Sequence, residues 1–223
     1  MPETDRFTAL KQKLAKKEPL LISFFGDSIS TFEGFDGYCG GATCRAANYA
    51  EVFLTRLSDV YEHDGIVGCC HGFPGNNTYM GLGRLHLLKA ATPDLVVVAF
   101  GANDFGHRPI CATQTGFALE LILDGVANEL HAAAIVMAAS SGGPLWDQWD
   151  DVAPRIASQV AVCEEWGVPF VDTHAEVVRR MSRGESWCDY FPCDADSHPN
   201  DRGHALWAET LLEVFVSRMA SDH

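Results

Sequence analysis

Short apolar runs alternate with amphipathic segments along this chain. Two of the runs, Leu20 to Phe25 and Leu95 to Phe100, are almost continuously apolar, which is typical of strands buried on both faces of a sheet. Shorter apolar stretches occur around Ile66-Val67, at Ala134 to Ala138 and at Pro169 to Val171. The pattern therefore predicts five strands, separated along the chain rather than joined as hairpins.

Between these strands, apolar residues recur at the three- and four-residue spacing of helices. The segment Arg45 to Val60 shows this spacing clearly, with Tyr49, Phe53 and Leu57 on one face. Further helices are predicted at Met1 to Glu18, Thr78 to Leu88, Thr115 to Leu130, Asp150 to Trp166, Ala175 to Met181 and Asp201 to Met219. Because helices that connect parallel strands cover both faces of the sheet, we predict an α/β protein with a three-layer α/β/α sandwich.

The composition predicts one globular domain over residues 1–223. Hydrophobic residues make up 47% and charged residues 21% of the chain, and no apolar run approaches the roughly 20 residues of a membrane-spanning helix. A net charge of −14 disfavours nucleic acid and anionic membranes as partners. The N-terminal segment has no apolar core of a secretory signal, so we expect a cytoplasmic protein. The oligomeric state is left open.

Eight cysteines are many for a cytosolic protein of this size. Without a signal peptide, they are expected to be reduced and mostly buried thiols. Cys39 and Cys44 form one pair with four intervening residues, and Cys188 and Cys193 form another; each pair could bridge locally or join a metal site. The spacing is longer than the two residues typical of structural zinc sites, which disfavours a metal.

The first predicted strand is followed directly by Gly26-Asp27-Ser28. In open α/β sheets, ligands bind beyond the carboxyl ends of the strands. Ser28 is therefore a candidate nucleophile at the edge of the sheet. The alternative interpretation is an ordinary turn in which Ser28 caps a helix.

Three further segments contain the groups that a serine nucleophile needs. Asn103 follows the strand Leu95 to Phe100 and could donate its side-chain amide to a developing oxyanion, although a turn or cap residue is the alternative. Gly75 could present its backbone N–H closely to a substrate, or simply form a turn. His198 lies in a polar loop before the last predicted helix and could act as general base, which a serine of ordinary pKa requires.

The four segments together resemble the GDSL-type, or SGNH, hydrolases. They are Gly26-Asp27-Ser28, Gly75 in a Gly-x-x-Gly loop, Gly101-Ala102-Asn103-Asp104 and His198-Pro199-Asn200, in the order that the family has. The resemblance implies a flavodoxin-like parallel sheet, hydrolysis of esters or thioesters, and no obligatory cofactor. No Gly-x-Ser-x-Gly segment occurs in the chain, which argues against the α/β-hydrolase alternative.

The resemblance also implies a role for each residue. Ser28 would attack the acyl carbonyl after His198 removes its proton, and His198 would then protonate the leaving alcohol and activate water for deacylation. The Asn103 amide and the backbone N–H groups of Gly75 and Ser28 would bind the oxyanion.

The chain departs from the family at the catalytic acid. The family usually carries this acid three residues before the histidine, where this chain has Ala195. Asp194 and Asp196 flank that position, so either carboxylate or a backbone carbonyl would orient His198. We favour Asp196, because the change in spacing is confined to a loop.

Aromatic residues near the expected site are candidates for a substrate rim. They are Tyr38, Trp146 and Trp187, with Phe35, Trp149, Tyr190 and Phe191 nearby in the sequence. Aromatic faces suit sugar rings or flat acyl groups, but packing of loops onto the domain is the commoner role of such residues.

The sequence favours a small-acyl carboxylesterase that acts on a small-molecule ester, with carbohydrate O-deacetylation as one candidate activity. Lysophospholipase or thioesterase activity is the enzymatic alternative. A non-catalytic α/β binding module that kept the four segments is the alternative from another class.

Overall fold

The structure is a computed structural model that describes residues 3–31, 48–105, 109–138, 149–192 and 198–221. The strands are β1 (Leu20–Gly26), β2 (Ile66–Gly72), β3 (Leu95–Ala99), β4 (Ala133–Met137) and β5 (Phe170–Val171). The helices are α1 (Glu3–Ala15), α2 (Tyr49–Tyr61), α3 (Thr78–Leu82), α4 (Leu85–Ala91), α5 (Ala102–Phe105), α6 (Ala112–Asp124), α7 (Trp149–Trp166), α8 (Thr173–Met181) and α9 (Asp201–Ala220).

The five strands form one parallel sheet in the order β2-β1-β3-β4-β5. Strand β1 lies between β2 and β3, so its last residue, Gly26, is aligned with Gly72 on one side and Ala99 on the other. This strand order is the flavodoxin-like one, in which the direction of the strand order reverses at a switch point between β1 and β3. The predicted α/β fold with a five-stranded parallel sheet is confirmed.

Both faces of the sheet are buried under helices. Because side chains alternate along a strand, Val97 of β3 points to one face while Val96 and Val98 point to the other, and all three are fully buried. The first face packs against α1, α2, α8 and α9. The second face packs against α4, α6 and α7. The helices on the two faces therefore complete the three predicted layers, as expected for a parallel sheet.

Three predicted elements differ from the structure. The helix predicted at Thr115 to Leu130 is α6 followed by a π-helical turn, Gly125–Leu130. The helix predicted at Thr78 to Leu88 is two short helices, α3 and α4, separated by Gly83 and Arg84. The second strand extends from Ile66 to Gly72 and is longer than its apolar stretch, because it lies at the edge of the sheet and most of its side chains are only half-buried. Edge strands carry a weaker hydrophobic signal than central ones.

The cysteines are of two kinds. Cys69, Cys70, Cys111 and Cys163 are free, and among these four only Cys163 is fully buried. Cys188 is disulfide-bonded, so the expectation of reduced thiols is wrong at this position. Cys39, Cys44 and Cys193 lie outside the described residues. Within the described ranges, no helix has the length and apolar character needed to cross a membrane.

Candidate active site

Ser28 lies in a short turn at the carboxyl end of β1. The turn, Ser28–Ser30, is a single turn of 3₁₀-helix, and the Asp27 carboxylate caps it by accepting the Ile29 N–H at 2.9 Å. On the far side, the Thr31 hydroxyl donates to the Ser28 carbonyl at 2.7 Å. These bonds fix the backbone on both sides of Ser28, as expected for a side chain that must be held in one position.

His198 is held by the start of α9. The side chain of Asn200 caps α9 by accepting the Gly203 N–H at 3.0 Å. The backbone N–H of Asn200 donates to the carbonyl of Tyr190 at 2.9 Å. The residues just before the helix are thus anchored. His198 Nε2 lies 2.8 Å from Ser28 Oγ, which is hydrogen-bond distance and the reach that a general base needs. Residues 170 positions apart are brought together at this point.

Gly75 occupies a tight turn between β2 and α3. Pro74 and Gly75 are the central residues of this turn, which is closed by the Asn76 N–H donating to the Phe73 carbonyl at 3.3 Å. Gly75 has a φ of 73°, the left-handed conformation that favours glycine at the third position of a type II turn. Within the described part of the chain, the N–H groups of Ser28 and Gly75 donate to no acceptor.

Asn103 links the serine segment to the turn that contains Gly75. It lies in α5, directly beyond β3, and its Nδ2 donates to Asp27 Oδ2 at 3.2 Å and to the Asn76 carbonyl at 3.1 Å. Both amide hydrogens are therefore engaged. An oxyanion is a stronger acceptor than a neutral carbonyl, so it would compete effectively for the hydrogen that Asn76 receives.

The carboxyl group of Asp27 is fully buried beneath the serine turn. The pKa of this carboxyl group is raised to about 7, chiefly by burial and also by the nearby Asp104 carboxylate, whereas the Ile29 N–H, the Asn103 amide and the Arg84 cation act in the opposite direction. The carboxylate form accepts hydrogen bonds more strongly than the acid form. Ionisation of Asp27 near neutral pH therefore strengthens its bond to the Asn103 amide.

Asp104 anchors three segments around the site. Its buried carboxylate accepts the backbone N–H of Thr78 at 2.8 Å, the hydroxyl of Thr78 at 2.7 Å and the hydroxyl of Thr115 at 2.8 Å. These bonds tie α5 to the beginning of α3 and to α6. The helix that contains Asn103, α5, is therefore fixed by Asp104, the next residue in the sequence.

The serine turn packs closely against Gly72. This contact predicts the effect of adding a methyl group at Gly72. A Cβ at this position would lie 2.7 Å from both the Asp27 carbonyl oxygen and the Ser30 carbonyl carbon, and both are backbone atoms. We expect Gly72→Ala to lower the free energy of unfolding by about 1–3 kcal/mol, because backbone must shift to relieve the overlap. Denaturant unfolding at constant pH would measure the difference.

Gly83→Ala is the matched control for this change. Gly83 has a helical φ of −61°, and a Cβ there would lie 3.4 Å from the nearest atom, the Met80 carbonyl oxygen. Its unfolding free energy should stay close to that of the unmodified protein. Equal stability of the two alanine variants would contradict the close packing of the serine turn against Gly72.

The remaining predicted site residues fall into two groups. Asp194, Asp196, Tyr38 and Trp146 lie outside the described residues. Trp187 is buried, with 6% of its surface exposed, and stacks on Phe191 with ring centroids 4.2 Å apart. Its neighbours Tyr190 and Phe191 are buried as well. The burial of Trp187 favours the packing alternative over a place at an open substrate rim.

Two surface grooves lie away from these residues. One, of about 390 Å³, is lined mainly by apolar side chains of α1 and α9. The other, of about 460 Å³, lies beside Gly167 to Phe170 and the end of α9. Neither is lined by Ser28, Asn103 or His198.

The sequence interpretation assigned no role to Asp27, Asp104 or Arg84. Asp27 and Asp104 belong to segments already singled out, and their burial could not be read from a polar residue in a turn. Arg84 was placed inside a predicted helix. The available signal was the adjacent Gly83, a residue that weakens a helix and that separates α3 from α4 in the structure.

A family model described as the GDSL-like lipase/acylhydrolase family matches residues 24–206, a range that contains Ser28, Gly75, Asn103 and His198. No curated protein matches the chain.

Several solved structures share the fold. A lipase/acylhydrolase from Enterococcus faecalis has a TM-score of 0.69 at 21% sequence identity, over 92% of this chain and 99% of that chain. An acetyl xylan esterase from Geobacillus stearothermophilus has a TM-score of 0.68 at 20% identity, over 93% and 98% of the two chains. A psychrotrophic esterase from a Pseudoalteromonas species, in a structure inhibited by monoethylphosphonate, has a TM-score of 0.61 at 17% identity, over 90% and 99%.

Proposed function

Because the chain belongs to the GDSL-like lipase/acylhydrolase family and is a carboxylic ester hydrolase, we propose that it cleaves esters of small acyl groups through an acyl-enzyme on Ser28. The observation that carries this proposal is the distance of 2.8 Å between Ser28 Oγ and His198 Nε2. A serine hydroxyl of ordinary pKa becomes a useful nucleophile only when a base at this distance takes its proton.

In the proposed acylation step, Ser28 Oγ attacks the carbonyl carbon of the ester while His198 Nε2 takes the hydroxyl proton. Negative charge develops on the carbonyl oxygen. The N–H groups of Ser28 and Gly75 and the Asn103 amide are the donors that we assign to it. Each such donor contributes on the order of 3 kcal/mol to stabilisation of the transition state.

Breakdown of the tetrahedral intermediate expels the alcohol, which receives the proton from His198. The acyl group is then an ester of Ser28. Deacylation repeats the sequence with water, which His198 deprotonates for attack on the acyl carbonyl. The products are the carboxylic acid and regenerated Ser28.

An acetyl group is the acyl group that we propose, with a carbohydrate as one candidate for the alcohol. The described side chain that contacts Ser28 Oγ is the polar ring of His198, at 2.8 Å. A structural neighbour is described as an acetyl xylan esterase, which motivates acetylated sugars as test substrates. Another is described as inhibited by monoethylphosphonate, which supports phosphonate reagents as probes of Ser28.

Hydrolysis of p-nitrophenyl esters tests this proposal. We expect kcat/KM to fall by at least about tenfold from acetate to octanoate, because discrimination of acyl size depends on apolar contacts, and the apolar groove between α1 and α9 lies elsewhere. A matched series of acyl thioesters would serve as the comparison. The folded protein failing to hydrolyse any of these esters would favour the non-catalytic binding module. A rate that rises with chain length would instead favour lysophospholipase or thioesterase activity.

A further inference from the structure

The guanidinium group of Arg84 connects three segments that surround the candidate active site. Its Nε donates to the side-chain oxygen of Asn76 at 2.8 Å. Its two terminal nitrogens donate to the backbone carbonyls of His71 and Gly26, each at 3.1 Å. Gly26 and His71 lie at the carboxyl ends of β1 and β2, and Asn76 ends the turn that contains Gly75. A single side chain thus joins two strand ends to this turn.

Aromatic rings hold Arg84 in place. The centre of its guanidinium lies 4.3 Å from the ring of Phe73, 5.2 Å from that of Phe25 and 6.0 Å from that of Phe100. Burial lowers its pKa to about 10, which leaves the group charged at neutral pH. Among the described residues, no carboxylate forms an ion pair with it. Its donors are used instead on neutral oxygen atoms in a fixed, planar arrangement.

The contacts of Asn76 extend this connection to Asn103. Arg84 binds the side chain of Asn76 from one side, and the Asn103 amide binds its backbone carbonyl from the other. The Gly26 carbonyl that accepts from Arg84 also accepts the Phe73 N–H at 3.1 Å, and it immediately precedes the Asp27-Ser28 segment. Arg84 is therefore hydrogen-bonded both to the turn and to the residue that precedes the serine segment.

We propose that Arg84 is a positioning residue for ester hydrolysis, which holds the turn of residues 73–76 and, through Asn76, keeps the Asn103 amide in place until the developing oxyanion takes the hydrogen that the Asn76 carbonyl receives. This inference rests on the proposed function. Arg84 forms no bond to the reacting atoms and acts through Asn76 and the backbone. Its charge also lowers the pKa of Asp27, which favours the carboxylate that accepts from Asn103.

Two substitutions separate the roles of geometry and charge. Arg84→Met keeps an unbranched stem against the aromatic rings but removes every donor, and we expect kcat/KM for p-nitrophenyl acetate to fall on the order of 10²-fold. Arg84→Lys keeps the charge, but one ammonium cannot reproduce the planar fork, so it should remain at least about tenfold below the unmodified enzyme. Recovery of full activity in Arg84→Lys would overturn the positioning role in favour of charge alone.

Arg218→Met is the matched control. Arg218 lies over the ring of Phe7 at 5.2 Å, near the far end of α9, so the change also removes a guanidinium from an aromatic contact. Its kcat/KM should stay within about twofold of the unmodified enzyme. Thermal unfolding of both variants would report any general loss of stability.

A double-mutant cycle tests whether Arg84 acts through the oxyanion donors. In an Asn103→Ala background, Arg84→Met should reduce kcat/KM by less than its roughly 10²-fold effect on the unmodified enzyme, because the amide is absent and the turn with the Gly75 N–H is all that remains to be positioned. A merely structural effect would multiply with that of Asn103→Ala in full, and that result would overturn the inference. Asn76→Ala, which removes the acceptor of Arg84 Nε together with the bond from Asn76 Nδ2 to the Pro74 carbonyl, provides the same cycle if Arg84→Met does not fold.

Hydrogen exchange supplies a measurement that does not depend on catalysis. We expect the backbone amides of Phe73 and Asn76, which donate to the Gly26 and Phe73 carbonyls, to exchange faster in Arg84→Met than in the unmodified protein, with no such change in Arg218→Met. Unchanged exchange at these two amides would overturn the inference even if ester hydrolysis were established. Faster exchange in a protein without esterase activity would contradict the proposed function and leave the structural role of Arg84 intact.

Discussion

Replacing Ser28 by alanine is expected to abolish ester hydrolysis, with a loss in kcat of about 10⁴-fold or more. The reason is that the change removes the atom that forms the acyl-enzyme. The fold should persist, because the hydroxyl contacts His198 Nε2 and the turn is held by bonds of Asp27 and Thr31. Turnover of p-nitrophenyl acetate, together with circular dichroism, would measure both effects.

A fluorophosphonate probe provides an independent readout of the same residue. The probe should label the unmodified enzyme at Ser28, as mass spectrometry of peptides would show, and should not label Ser28→Ala. Ser182→Ala is a suitable control, because the Ser182 hydroxyl is exposed and donates to the Arg179 carbonyl at the end of α8. Undiminished turnover in Ser28→Ala would refute the assignment of the nucleophile.

The effect of His198 should not add to that of Ser28. With the two side chains 2.8 Å apart, they form one proton-transfer unit, so His198→Ala should be nearly as damaging as Ser28→Ala. The double variant should then be about as slow as either single variant. A much slower double variant would indicate that the two residues contribute independently.

The strands could be predicted where burial is complete. In β1 and β3 nearly every side chain is buried, so the sequence is almost continuously apolar and the strand ends are well marked. Edge strand β2 is only half-buried, and just its first residues carried the signal. The five-stranded parallel sheet followed from this pattern because the intervening helical segments allow few other arrangements.

The candidate site was predicted in part for a related reason. The groups that we assign to catalysis lie just past strand ends or just before α9, and the positions past strand ends are visible as polar residues after apolar runs. Arg84 gives no such local signal. Its importance arises from acceptors on Gly26, His71 and Asn76, which are brought together only by the folded chain.

The sequence leaves three alternatives for the group that orients His198, which are Asp194, Asp196 and a backbone carbonyl. The family position for the acid is Ala195, and its neighbours Asp194 and Asp196 lie outside the described residues. A carboxylate would stabilise the imidazolium that forms when Ser28 loses its proton. A backbone carbonyl would only fix the tautomer of the ring.

Substitution of each aspartate by asparagine would distinguish these alternatives. If a carboxylate orients His198, its replacement should lower kcat by about 10⁴-fold, as in a serine protease, because the amide can select the unproductive tautomer of the ring. We expect Asp196→Asn to be the harmful change and Asp194→Asn to matter little, since the altered spacing is confined to the loop before His198. Each variant serves as the control for the other, as both remove one negative charge from the same segment.

The reverse order of effects would assign the role to Asp194. Near-normal kcat and an unchanged pH profile in both variants would show that neither carboxylate serves His198, and a Ser28-His198 dyad supported by a backbone carbonyl would then account for the activity.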